Sequence, residues 1–255
     1  RQPDVMRIFL LSHDRARRGT TVARALAERG IVPDGYVFEA YRPPNLRRRV
    51  EGRLANGGIP VLAPPTLRVP GASLAPAPSG PDVPTAAEHA KAQGIAVTHV
   101  PDLTSDGSLA AIRALKADIF VHAGAGILRA PLLAIPRLGT MNAHMGILPR
   151  YRGMNVAEWS RLEGRQTGCT VHLLDPGIDT GDILSTRDID TSECRSIAAL
   201  REKMDAAQLS FLAEILAEIV RTGDLPPRQP QRHEDGRQYF TMHDDLKRVL
   251  ERRLS

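Results

Sequence analysis

Residues 139–153 read GTMNAHMGILPRYRG, and two side chains in that run could do chemistry together. If Met141 to His144 is extended, the period-two alternation of a strand puts Asn142 and His144 on the same side. Asparagine offers an N–H donor and a carbonyl acceptor in one plane, and histidine gains or loses a proton near neutral pH. The pair suits acyl chemistry. An amide N–H can donate to a carbonyl oxygen as negative charge develops on it, an effect on the order of 3 kcal/mol per donor. An imidazole that accepts or relays a proton contributes roughly 10²- to 10⁴-fold. An acid is needed to orient and support that imidazole, and the turn DPGIDTGD offers Asp175, Asp179 and Asp182.

Several elements must position these groups. Val5 to Ser12 is a short apolar run, and Thr20 to Gly30 follows with helical spacing and a terminal glycine, together a βα unit. A second apolar run, Tyr36 to Tyr41, leads into an Arg-rich helix over Leu46 to Ala55. Eight prolines with almost no charge lie between Pro60 and Pro84, a composition that holds neither a helix nor a central strand, so this stretch is predicted to be an irregular insertion. Alternation then resumes: a helix around Ala86 to Ala90, a strand over Ile95 to Val100, a helix over Ser108 to Leu115 and a strand over Asp118 to Ala123. Repeated βα units predict an α/β fold, a mostly parallel twisted sheet with helices on both faces and a ligand crevice at the carboxyl ends of its strands. Cys169 to Asp175 and Ile183 to Asp190 read as two strands joined by the acidic turn, and Ser196 to Gly223 as a long amphipathic helix. The tail adds a short strand or turn and a final basic helix.

Composition limits the function classes. The chain has 255 residues, a formal charge of +5 and 34 basic against 29 acidic residues mixed along its length. That mixing, with only 4% aromatic residues to build a base-stacking surface, argues against nucleic acid as a partner. Cys169 and Cys194 show no CxxC spacing, nothing near the start resembles a signal sequence, and no apolar run is long enough to span a membrane. The expected compartment is the cytoplasm. His122 and His172 read as core or strand histidines, and without a short ligand spacing such as HxH or HExxH no metal site is predicted. Oligomeric state is not legible.

The string NAHMGILPRYRG, followed downstream by DPGIDTGDIL, resembles the signature of the formyltransferases that use 10-formyltetrahydrofolate. Those enzymes act on glycinamide ribonucleotide, methionyl-tRNA and sugar-nucleotide amines. The resemblance implies a Rossmann-like formyltransferase fold and the catalytic set Asn142, His144 and Asp179. It places the pterin of the formyl donor against Gly126, Ile127, Leu128 and, more loosely, Leu133, and against the loop holding Asp175, Gly177 and Ile178. No metal is implied.

The resemblance runs from about Asp118 to Asp190 and is vague before that. Glycinamide ribonucleotide enzymes open with a glycine-rich phosphate loop, whereas this chain has SHDRARRGTT, where Arg18 and Thr20 are the candidate contacts to an anion at the helix start. Arg152 is a third candidate, facing an anionic acceptor or the folate tail. The tRNA-formylating members carry a large C-terminal domain for which the residues after Leu225 are too few. The expectation is therefore a catalytic domain over 1–225, with the proline-rich insertion at 60–84, and a C-terminal extension over 226–255 ending in a short basic helix. The expected reaction is formyl transfer from 10-formyltetrahydrofolate to a small-molecule primary amine, one like glycinamide ribonucleotide, an amino sugar or a modified amino acid, for which the basic residues above would suit an anionic acceptor. The alternatives are a methionyl-tRNA formyltransferase-like enzyme lacking the tRNA domain, and a non-catalytic folate-binding protein.

Overall fold

A computed structural model describes residues 6–40 and 82–255. The expected helix at 46–55 and most of the 60–84 insertion lie outside the described residues. A seven-stranded sheet has the order β3-β2-β1-β4-β5-β7-β8. Its strands are β1 (Ile8–His13), β2 (Gly35–Glu39), β3 (Ala96–Val100), β4 (Ile119–His122), β5 (Gly139–His144), β7 (Gly168–Leu173) and β8 (Ile183–Asp188). The first five run parallel, while β7 and β8 are antiparallel to their neighbours. Strand order reverses between β1 and β4, which puts the crevice expected of such a sheet above their carboxyl ends.

Helices cover both faces. On one lie α1 (Arg18–Ala27), α2 (Ala86–Gln93) and α6 (Ile197–Thr222), over Ile8, Leu10, Ile119, Val121, Met141, Cys169 and Val171. On the other lie α3 (Asp106–Ala114) and α4 (Ala130–Leu133), over Phe9, Leu11, Val37 and Phe120. Central strands buried on both sides read as unbroken apolar runs, as IFLL of β1 does. The long helix α6 starts where the Ser196 hydroxyl accepts from the Ala199 N–H and stops at Gly223, whose φ of 79° supplies the left-handed turn. Thr85 and Glu88 form a reciprocal capping box at the start of α2. Both cysteines are free and buried.

Residues 226–255 lie against the same body. Gln229 bridges Ile183 through both backbone groups at 2.9 Å. The strand β9 (Arg237–Tyr239) pairs in parallel with β6 (Tyr151–Gly153) as a separate two-stranded sheet. The basic helix α7 (Asp244–Leu254) packs on α6 and on α5 (Val156–Leu162), and Glu251 accepts from the Ile197 N–H at the head of α6. Among the described residues no helix is long and apolar enough to cross a membrane.

Candidate active site

The face opposite Met141 and Val171 carries a polar row across three neighbouring strands. Val121 pairs with Met141, so His122 and Asn142 come next in register, and Asn142 stands directly opposite His172 on β7. Alternation along β5 puts His144 on this face too, as the spacing of the motif predicted. Cys169, Val171 and Leu173 of β7 pack on the opposite core, so alternation puts His172 on this face as well.

Hydrogen bonds fix how these groups point. Nδ1 of His172 donates to the Leu173 carbonyl at 2.9 Å, so its Nε2 presents a lone pair to the Asn142 amide nitrogen at 3.2 Å. Nε2 of His144 donates to the Tyr151 carbonyl at 2.7 Å, which leaves Nδ1 as the nitrogen able to take up or release a proton. That nitrogen lies 3.5 Å from Asp179 Oδ2, and His172 Nε2 lies 3.6 Å from Asp179 Oδ1. The other partner of Oδ2 is the Gly153 N–H at 2.8 Å. One carboxylate thus sits between two imidazoles, beside the amide of Asn142.

Electrostatics assign the protons. His172 is fully buried, and burial holds its imidazole well below the usual histidine range, at about 4, despite the Asp179 charge. It is neutral at pH 7, as its role as acceptor from Asn142 requires. Burial also lowers His122, which donates to the Ala125 carbonyl at 3.1 Å and lies against the Asn142 side chain. Burial works against an ionised Asp179, but His144, His172 and the Gly153 N–H outweigh it and hold the carboxyl below its ordinary value.

The remaining predicted residues fall into two groups. Gly126, Ile127 and Leu128 form the loop after β4, beside the Asn142 row; Leu128 is buried and Leu133 half-buried, while Ile127 is 75% exposed. Across the site, Asp175 accepts from the Gly177 N–H and the Thr180 hydroxyl, and Ile178 at the tip of the same turn is 53% exposed. A cleft of about 650 Å³ opens here, lined by Arg152, Gly177, Ile178 and Thr180 and by Arg237 and Gln238 of β9.

The anion contacts predicted at Arg18, Thr20 and Arg152 are otherwise engaged. Arg18 pairs with Asp205 of α6, and the fully buried Thr20 donates its hydroxyl to the Pro84 carbonyl at 2.9 Å. Arg152 is only 3% exposed, donating from Nε to Gln231 at 3.2 Å and from Nη2 to the Arg232 carbonyl at 2.7 Å. A guanidinium buried to this degree is held by internal acceptors, the opposite of a solvated loop charge. His122 and His172 are likewise more than core histidines, because both touch Asn142.

Residues 78–216 match the family described as Formyl transferase. The chain belongs to the formyl transferase family. Methionyl-tRNA formyltransferase of Anaeromyxobacter dehalogenans strain 2CP-C is 39% identical over 143 residues, 55% of this chain and 46% of that protein. The corresponding enzyme of Citrifermentans bemidjiense is 34% identical over 142 residues. The chain spans about half the length of these curated formyltransferase relatives. Solved formyl transferase structures share the fold: phosphoribosylglycinamide formyltransferase from Bacillus halodurans superposes with a TM-score of 0.58 at 15% identity, covering 86% of this chain and 97% of that one. A sugar N-formyltransferase from Shewanella sp FDAARGOS_354 superposes at 0.55 with 16% identity, covering 93% and 77%.

Proposed function

We propose that the protein transfers the formyl group of 10-formyltetrahydrofolate to the primary amine of a small molecule. The observation that carries this reading is the convergence of Asn142 and His144, from one strand, with Asp179, from the turn after β7, beside a cleft lined by Gly177, Ile178 and Thr180 on either side of Asp179. Ile127 and Ile178 fit a folate. Two large apolar side chains left in water on the loops flanking the polar row are what a flat aromatic ring would cover. The bound folate would lie against Gly126, Ile127 and Leu128 on one side and the Asp175–Ile178 turn on the other, and it supplies an activated formyl carbon.

The chain's own residues do the rest. Asn142 has two amide hydrogens: one goes to His172, and the other is available to the formyl oxygen as charge develops on it. The attacking amine must shed a proton, and the nitrogen that leaves must gain one. His144 Nδ1, backed by the Asp179 carboxylate, can hold that proton between the two events. With Nε2 anchored on Tyr151, the imidazole does not rotate away from this task.

Methionyl-tRNA is the second acceptor to consider, because a relative named for it shares 39% identity over the matching segment. The reading is tested by incubating the purified protein with 10-formyltetrahydrofolate and a panel of amines that includes amino sugars, glycinamide ribonucleotide and methionyl-tRNA. Release of tetrahydrofolate is followed by absorbance and acceptor mass by mass spectrometry. A small amine gaining a formyl group is the expected result. Transfer only to methionyl-tRNA would replace the acceptor, and no transfer to any amine, with folate still bound, would favour a binding protein.

A further inference from the structure

We propose that Gln231 is a positioning residue for the Asp179 carboxylate, and that residues 226–239 complete the catalytic unit rather than trail from it. The inference rests on the formyl-transfer reading for its kinetic consequence but on geometry for its content.

Asp179 sits at φ 52°, in the left-handed region that costs a non-glycine residue roughly 1 kcal/mol or more. Something outside the turn must hold it there. The carboxylate itself is tied to the Gly153 N–H, and the backbone of the turn is tied by Gln231. The side-chain amide nitrogen of Gln231 donates to the carbonyl of Asp179 at 3.1 Å and to that of Gly181 at 2.6 Å. Its Oε1 accepts from Arg152 Nε at 3.2 Å. Two carbonyls on one side and a guanidinium on the other leave a single orientation for this amide, with both hydrogens used.

These bonds tie the turn to the segment that anchors His144. Arg152 follows Tyr151, whose carbonyl anchors His144, and precedes Gly153, whose N–H binds Asp179. Gln231 therefore couples the β6 segment, which holds the imidazole and the carboxylate, to the turn that presents the carboxylate. The chain on either side of it is pinned, by the Gln229 bridge to Ile183 and by the pairing of β9 with β6. A displacement of about 1 Å in such a group can cost on the order of 10²-fold in rate, so the clamp bears on turnover and not only on packing.

Gln231→Glu separates the two roles. It retains the shape and the acceptor for Arg152, but it sets an oxygen against the carbonyls of Asp179 and Gly181. Gln231→Asn retains the amide at shorter reach and is measured beside it, with folding read from the thermal midpoint. Imidazole and carboxyl titrations followed by NMR without any ligand report on Asp179 independently of transfer. In folded Gln231→Glu, the Asp179 midpoint should rise toward the ordinary carboxyl value as the carboxylate leaves the histidines. Turnover should fall about tenfold or more, with the KM for 10-formyltetrahydrofolate changed less than about threefold, and Gln231→Asn should lie between. An Asp179 titration identical to the parent in a folded variant overturns the inference, and so does failure of both variants to fold, since that would make Gln231 a folding residue. A parent that titrates as described but transfers no formyl group would reject the functional reading and leave the positioning claim standing.

Discussion

The amide nitrogen of Asn142 lies 3.2 Å from Nε2 of His172, directly across the β5–β7 ladder. Because Nδ1 of that imidazole is spent on the Leu173 carbonyl, the contact holds only while His172 is neutral. A protonated His172 would turn an N–H toward the amide nitrogen, and the asparagine would have to flip its oxygen inward.

Asn142→Ala should lower turnover by about two to three orders of magnitude with little change in the KM for the formyl donor, since it removes one oxyanion donor. Steady-state kinetics over a range of donor concentration separate the two parameters. Parent-like turnover would remove Asn142 from the mechanism.

Asp179→Asn keeps an acceptor for the Gly153 N–H but discharges the group between the two imidazoles. Turnover should fall at least tenfold while the thermal midpoint at pH 7 changes little. The His172 midpoint should drop further, because the Asp179 charge is what raises it against burial. An imidazole titration unchanged by the substitution would mean that the carboxylate acts elsewhere.

Acid sensitivity follows from His172. Its folded midpoint of about 4 lies below the ordinary 6.5, so below pH 6.5 the unfolded chain binds the proton that the folded chain refuses. Stability is complete above about pH 6.5, declines as pH falls toward 4, and loses nothing more from this group below that. His122 carries the same sign through burial, so His172→Gln should flatten this decline in thermal midpoint without abolishing it. A slope equal to the parent's would contradict the assignment.

Gly153→Ala tests the joint between the catalytic turn and the C-terminal strand. Gly153 has φ 97°, and a Cβ there would stand 2.2 Å from the Tyr239 carbonyl oxygen. Strain of about 1–2 kcal/mol from the backbone alone, plus separation of β9 from β6, should lower both the thermal midpoint and turnover. Unaltered values for both would mean that the pairing is not needed for the site.

Much of this arrangement was legible in the sequence because it depends on local rules. Period two placed Asn142 and His144 on one face, the amphipathic stripe from Ser196 to Gly223 bounded the long helix within a residue, and repeated βα units implied the parallel sheet. His172 carried a signal that the same rule could have used: in CTVHLL, Cys169 and Val171 face the core, so Thr170 and His172 share the other side. What stayed hidden was long-range. That β7 runs antiparallel beside β5, bringing His172 opposite Asn142, is a matter of topology. The burial of Arg152 likewise depends on Gln231 and Arg232, eighty residues away along the chain.

Cys169 and Cys194 are the chain's two thiols, both buried, and burial pushes the Cys169 thiol up to about 11. Neither side chain is open to a reagent in water, because both are buried. The folded protein is therefore a clean background for site-directed chemistry. A single cysteine introduced at exposed Ile178 would be the preferred target of a maleimide dye, placing one fluorophore on the lip of the cleft where ligand arrival could be watched directly.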